Sequence, residues 1–99
     1  MDTKQKETER YLENNDKLIN YLKSKNDYVS NYLIAEVYIE AYNLGKRNED
    51  LIKVLDYSLK SQTKYNDSSQ NPAYLGKPSI EDVNYFIQQT LKIIEKKIQ

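Results

Sequence analysis

The chain has 99 residues, 38% hydrophobic and 30% charged, with 15 basic and 15 acidic side chains and no net charge. That is the length of one domain, with enough apolar residues for one modest core and too many aromatics for a wholly solvated chain. With neither Cys nor His, disulfides, structural zinc, His-ligated haem and Ser-His or Cys-His nucleophilic pairs are excluded, and only carboxylate sites for hard cations remain as metal chemistry.

The segment MDTKQKETER is hydrophilic and shows no secretory signal, and no apolar run approaches the roughly 20 residues that span a bilayer. The expected location is the cytoplasm. The first helix is expected over residues 3–24. Tyr11, Leu12, Asn15, Leu18, Ile19 and Leu22 share one face of it, opposite Lys6, Glu9, Glu13 and Lys17. Residues 1–8 hold no apolar residue after Met1 and are expected to fray.

KSKND (23–27) reads as a break, with Asn26 or Asp27 as the N-cap of the next helix. That second helix, over 28–44, ends at Gly45, the residue type favoured just past a helix end. Its sequence is unusual for so polar a chain. From Tyr32 to Leu44 every residue is apolar or Tyr, except Glu36, Glu40 and Asn43 at i, i+4 and i+7. Such a helix is buried on several sides, so it is placed at the centre of the fold. Any apolar surface that its neighbours leave uncovered would serve as a homodimer interface or as a groove for a partner helix.

Asn48 is a candidate N-cap for a third helix over 49–64, where Glu49 and Asp50 complement the helix dipole. Leu51, Ile52, Val54, Leu55, Ser58, Leu59 and Gln62 form its expected inner face. The short turn before it makes the second and third helices antiparallel neighbours. Residues 65–78, YNDSSQNPAYLGKP, are turn chemistry throughout and read as a long loop. Ser79 then caps a last helix over 80–98, with Val83, Phe86, Ile87, Leu91, Ile94 and Ile98 inward and Lys96 and Lys97 in its final turn. The sum is an all-α fold, a compact antiparallel four-helix bundle.

Three constellations carry functional expectations. Glu36 and Glu40 are carboxylates one turn apart on an apolar helix. That spacing suits a shared cation or an acid–base pair, but carboxylate metal sites in bundles are normally built with His. The alternatives are a solvent-facing stripe and a surface for a basic partner. The tyrosines form the second group. Tyr11, Tyr32, Tyr38 and Tyr42 are expected in the core, whereas Tyr21, Tyr57 and Tyr85 fall off the inner faces and Tyr65 and Tyr74 lie in the long loop beside Lys77. Tyr offers a stiff amphipathic contact surface at low entropy cost, so these five with Lys77 are the candidate partner-binding residues. The third is Lys and Tyr together around 60–77, with Lys60, Lys64 and Lys77, which could stack and hold a nucleotide or nucleic acid. Charge neutrality and only two Arg argue against that.

Lys, Asn, Ile and Tyr make up 42 of the 99 residues, against seven for Ala, Gly and Pro together, which points to AT-rich coding. In size and layout the chain is similar to the small helical bundles that low-GC bacteria and their phages use as bacteriocin immunity proteins or inhibitors. That resemblance implies a non-enzymatic module that binds a macromolecule, with no cofactor and no metal.

Overall fold

The computed structural model describes residues 3–67 and 78–98. Among them are five α-helices and no strand: α1 (Thr3–Asn14), α2 (Asp16–Lys25), α3 (Tyr28–Gly45), α4 (Asn48–Asp67) and α5 (Ile80–Ile98). The fold is all-helical, but the expected four-helix bundle is corrected to five helices. The single first helix is broken at Asn15. There the side-chain amide donates to Tyr11 O at 2.8 Å, while the Asn15 N–H is shared between Tyr11 O and Leu12 O. An Asn that bonds its own helix backbone competes with the i−4 ladder and turns the chain. α1 is helical from Thr3, and Thr8 is buried.

α2 ends on Asn26, which takes the left-handed conformation (φ 50°) and returns its N–H to Leu22 O. Asn tolerates that region better than most residues. Asp27 is the N-cap of α3. Its carboxylate accepts from Ser30 N at 2.7 Å, and its own N–H donates to Ser30 Oγ at 2.9 Å, a reciprocal box.

The other end of α3 departs from expectation. Gly45 is the last helical residue and has no positive φ; Lys46 takes the left-handed cap at φ 54°. The glycine serves proximity instead. A Cβ there would collide with Thr8 Oγ1 and would lie 3.2 Å from Lys4 O and 3.3 Å from Thr8 Cβ. α1 therefore crosses α3 closely at this point, where Thr8 Oγ1 donates to Ala41 O at 3.3 Å.

Arg47 begins the next connection. Its guanidinium grips the buried Asp50 carboxylate by two hydrogen bonds, Nε to Oδ2 at 2.7 Å and Nη2 to Oδ1 at 3.0 Å. α4 starts one residue earlier than expected, at Asn48, and runs on to Asp67, so Tyr65 is helical. Ser79 caps α5 as expected: its Oγ accepts from Asp82 N, and its N–H donates to the Asp82 carboxylate.

α3 packs against α1, α2 and α4, and α4 also carries α5. α3 and α4 are antiparallel, as are α4 and α5, so α5 runs parallel to α3. The core joins Leu22, Ile34, Ala35, Val54 and Tyr57, with Tyr38, Ile39 and Phe86 packed on it. The inner face of α4 is rotated from the expected one. Ser58, Ser61 and Tyr57 are buried, whereas Ile52 and Leu59 are exposed. Leu91 and Ile98, expected to point inward on α5, are exposed as well. No helix of the described residues is long and apolar enough to cross a membrane.

Candidate docking face

α3 turns Ile34, Ala35, Ala41 and Tyr42 into the protein and leaves one stripe outside, Glu36, Glu40 and Asn43. The stripe is the polar one seen in the sequence, and it is flanked by uncovered apolar surface. Leu33 beside it is 38% exposed. A groove of about 270 Å³ runs between this face and α1–α2, lined by Tyr11, Leu18, Leu33, Glu36, Val37 and Glu40 among others. A second groove of about 400 Å³ runs between α3 and α5, past Tyr32, Ile39, Asn43, Tyr85, Phe86 and Ile93. Between them lies a third pocket of about 240 Å³, over Tyr32, Leu33, Glu36, Pro78 and Asp82, at the junction of the two. Tyr32 stands edge-on to Phe86 at 5.4 Å between ring centres, which fixes the wall between α3 and α5.

The field along this face has one sign. Glu36 is held above the usual carboxylate range, first by burial and then by Glu40. Burial raises Tyr32 too, with Glu36 and Asp82 adding to it, and Tyr11 likewise, with Glu40 adding. Among the described residues no Lys or Arg lines either groove or the pocket between them. Among the described residues no three carboxylates converge as a metal site requires, so Glu36 and Glu40 form an outward stripe without a third ligand.

The tyrosines divide differently from the sequence expectation. Tyr85 (65% exposed) and Tyr21 (58%) are open to solvent, Tyr85 in the α3–α5 groove and Tyr21 under the ammonium of Lys25. Tyr57 is a correction: it is buried at 7% exposure, stacked on Tyr38 at 6.0 Å and part of the core cluster. It falls on the true inner face of α4, one turn after Val54 and one before Ser61. Tyr65 is half-buried, edge-on to Tyr28 at 5.2 Å. Tyr74 and Lys77 lie outside the described residues. Sequence reasoning gave no role to Tyr28, which is buried, donates its hydroxyl to Pro78 O at 3.2 Å and offers its carbonyl to Ser61 Oγ at 2.6 Å. It ties the start of α3 to α4 and to the entry of α5. Its position at the first turn, outside the long apolar run, hid it.

A separate cleft of about 400 Å³ brings Lys23 of α2 to Lys60 and Lys64 of α4, with Asn26, Asn31 and Tyr57. Lys60 lies over the Tyr57 ring at 4.7 Å and pairs with Asp56 at 3.3 Å. Lys23 was not legible as a partner of the other two, because its helix had first to be folded onto α4.

Comparison with known proteins finds no family model, no characterised relative and no solved structure that matches this chain.

Proposed function

We propose that this chain is a small, non-enzymatic cytoplasmic protein-interaction module, of inhibitor or immunity type, that seats a protein partner on the outward face of α3. One observation carries the reading: three adjacent pockets with shared lining residues flank that face, and Leu33 and Tyr85 stay exposed in them near Glu36 and Glu40. Exposed apolar residues scattered singly need no explanation, but several of them in adjacent pockets rimmed by charge are the pattern of a binding surface. Tyr85 is placed as an aromatic anchor in it. Tyr21, Tyr65, Tyr74 and Lys77 are secondary candidates, and Tyr57 is set aside as core. The inhibitor or immunity character rests on size and helical layout alone.

The test is capture by the immobilised protein from a lysate of a low-GC bacterium, repeated with Leu33→Asp and Tyr85→Ala. The expected result is a stoichiometric protein that both variants lose, with helicity and melting temperature unchanged. Recovery of nucleic acid with no protein overturns the reading.

A second reading is favoured by the cleft of Lys23, Lys60 and Lys64, which suits a phosphate-bearing ligand such as a nucleotide. It expects retention on heparin or nucleotide resins at low salt, lost in Lys23→Glu and Lys60→Glu. Free passage through both resins rules it out.

A further inference from the structure

Resting on the interaction-module reading, we infer that the occupant of the α3 face is a basic amphipathic helix of the partner protein. Three features converge on that chemistry. The first is charge. Glu36 and Glu40 line one groove and its junction, and among the described residues no cationic side chain does. An acidic segment or a nucleic acid would meet like charge there, whereas Lys and Arg would be attracted.

The second feature is length and spacing. From Leu33 to Asn43 the open face runs ten residues along α3, about 15 Å, or nearly three helical turns. Glu36 and Glu40 are one turn apart on it, the interval at which a facing helix repeats Lys or Arg at i and i+4. The third is the distribution of apolar surface. Leu18 and Leu33 lie on one side of the carboxylate stripe and Tyr85 on the other, all three exposed. A helix with apolar residues at i, i+3 or i+4 and i+7 covers such anchors and keeps its charges at the rim.

A second copy of this chain is the competing occupant, because α5 carries exposed Leu91 and Ile98 with Lys92, Lys96 and Lys97 near its end. α5 is already packed on α4, so it presents only the edge of a helix.

The probe is a fluorescein-labelled 18-residue Leu/Lys peptide with Leu at i, i+3, i+4 and i+7 throughout, read by fluorescence anisotropy. Its controls are the same peptide with Glu for Lys and a scramble of equal composition. The full-length protein is compared with Glu36→Lys/Glu40→Lys, with the milder Glu36→Gln/Glu40→Gln, and with Asp67→Lys/Glu95→Lys, which matches the charge change away from the grooves. Helicity is checked for each.

The expected result is that the Leu/Lys peptide binds, that Glu36→Lys/Glu40→Lys weakens it at least about tenfold, and that the charge-matched control barely changes it. The Leu/Glu peptide gains on the reversed variant. Equal loss in the control variant, equal binding of the scramble, or no binding overturns the proposal. So does a wild-type dimer that Leu33→Asp dissociates, which would make a second copy the occupant. A captured partner that Leu33→Asp releases and Glu36→Lys/Glu40→Lys retains sinks the basic helix but leaves the docking face. Retention by both variants sinks the face as well.

Discussion

Gly45→Ala tests the seating of α1 on α3. Elsewhere in a helix, alanine for glycine stabilises by about 1 kcal/mol, and somewhat less at a last helical residue such as this. Here the added methyl meets Thr8 Oγ1 head-on and has Lys4 O at 3.2 Å and Thr8 Cβ at 3.3 Å. One of these neighbours is a backbone carbonyl and another the root of a β-branched side chain, so neither gives way without moving α1. Overpacking of that kind costs about 1–3 kcal/mol, and the balance is a net destabilisation of about 1 kcal/mol. Thr8→Ala removes the hydroxyl that is met first, so in that background the cost of Gly45→Ala falls by about 1 kcal/mol, although Thr8→Ala itself forfeits the bond to Ala41 O. Urea unfolding of the four members of the cycle, followed by far-UV circular dichroism, reads all three quantities. If Gly45→Ala stabilises the protein, and equally in both backgrounds, α1 does not cross α3 there and the reason given for this glycine is wrong.

Lys46→Gly relieves a left-handed lysine and is expected to stabilise by about 0.5–1 kcal/mol in the same assay, net of the added chain entropy. Ser58 Oγ is fully buried without a hydrogen-bond partner, so Ser58→Ala is expected to be neutral or stabilising by up to about 1 kcal/mol; a loss of that size would reveal a partner for the hydroxyl. Arg47→Ala strands the buried Asp50 carboxylate at the first turn of α4 and is expected to cost about 2 kcal/mol, with Arg47→Lys restoring less than half because it lacks the fork. The raised pKa of Glu36 means that the folded protein resists its ionisation. The penalty is present at neutral pH and fades as pH falls through the raised folded value, so Glu36→Gln should melt higher than wild type near pH 7, and that gap should close on acidification. A gap that widens at low pH would reverse the sign of the interaction.

Most helix positions were legible, and the reason is local. Asp27 and Ser79 are caps whose partners lie three residues away, so sequence alone contains the whole interaction. The outward stripe of α3 was legible because three polar residues interrupt an otherwise apolar run at helical spacing. The misreadings need partners from elsewhere in the chain. Gly45 reads as a helix stop until Thr8 is seen against it, 37 positions earlier. Asn15 is the exception, misread although its partner Tyr11 is only four residues away, because it looks like one more residue on an amphipathic face. On α4, hydrophobicity favoured Ile52 and Leu59, but closely packed helices take small residues at the crossing, and Ser61 went inside beside the expected Ser58. That quarter-turn of rotation carried Tyr57 from the expected partner surface into the core.

The same rotation bears on function, because it separates two kinds of exposed apolar residue. Ile52 and Leu59 lie on the outer side of α4 and border none of the grooves described. They are what remains when a small domain has more apolar residues than interior. Leu33 and Tyr85 have no such account. They sit on different helices, Leu33 in the groove toward α1–α2 and Tyr85 in the groove toward α5, and among the described residues no cation lines these grooves to relieve the repulsion between Glu36 and Glu40. Solubility alone would be served by the two glutamates and would favour polar residues at 33 and 85 as well. A partner that brings both apolar anchors and positive charge removes the exposure and the repulsion together. Placing aspartate at Leu33 and at Ile52 in turn separates the two kinds of surface: both should fold, and only the change at Leu33 should abolish partner capture.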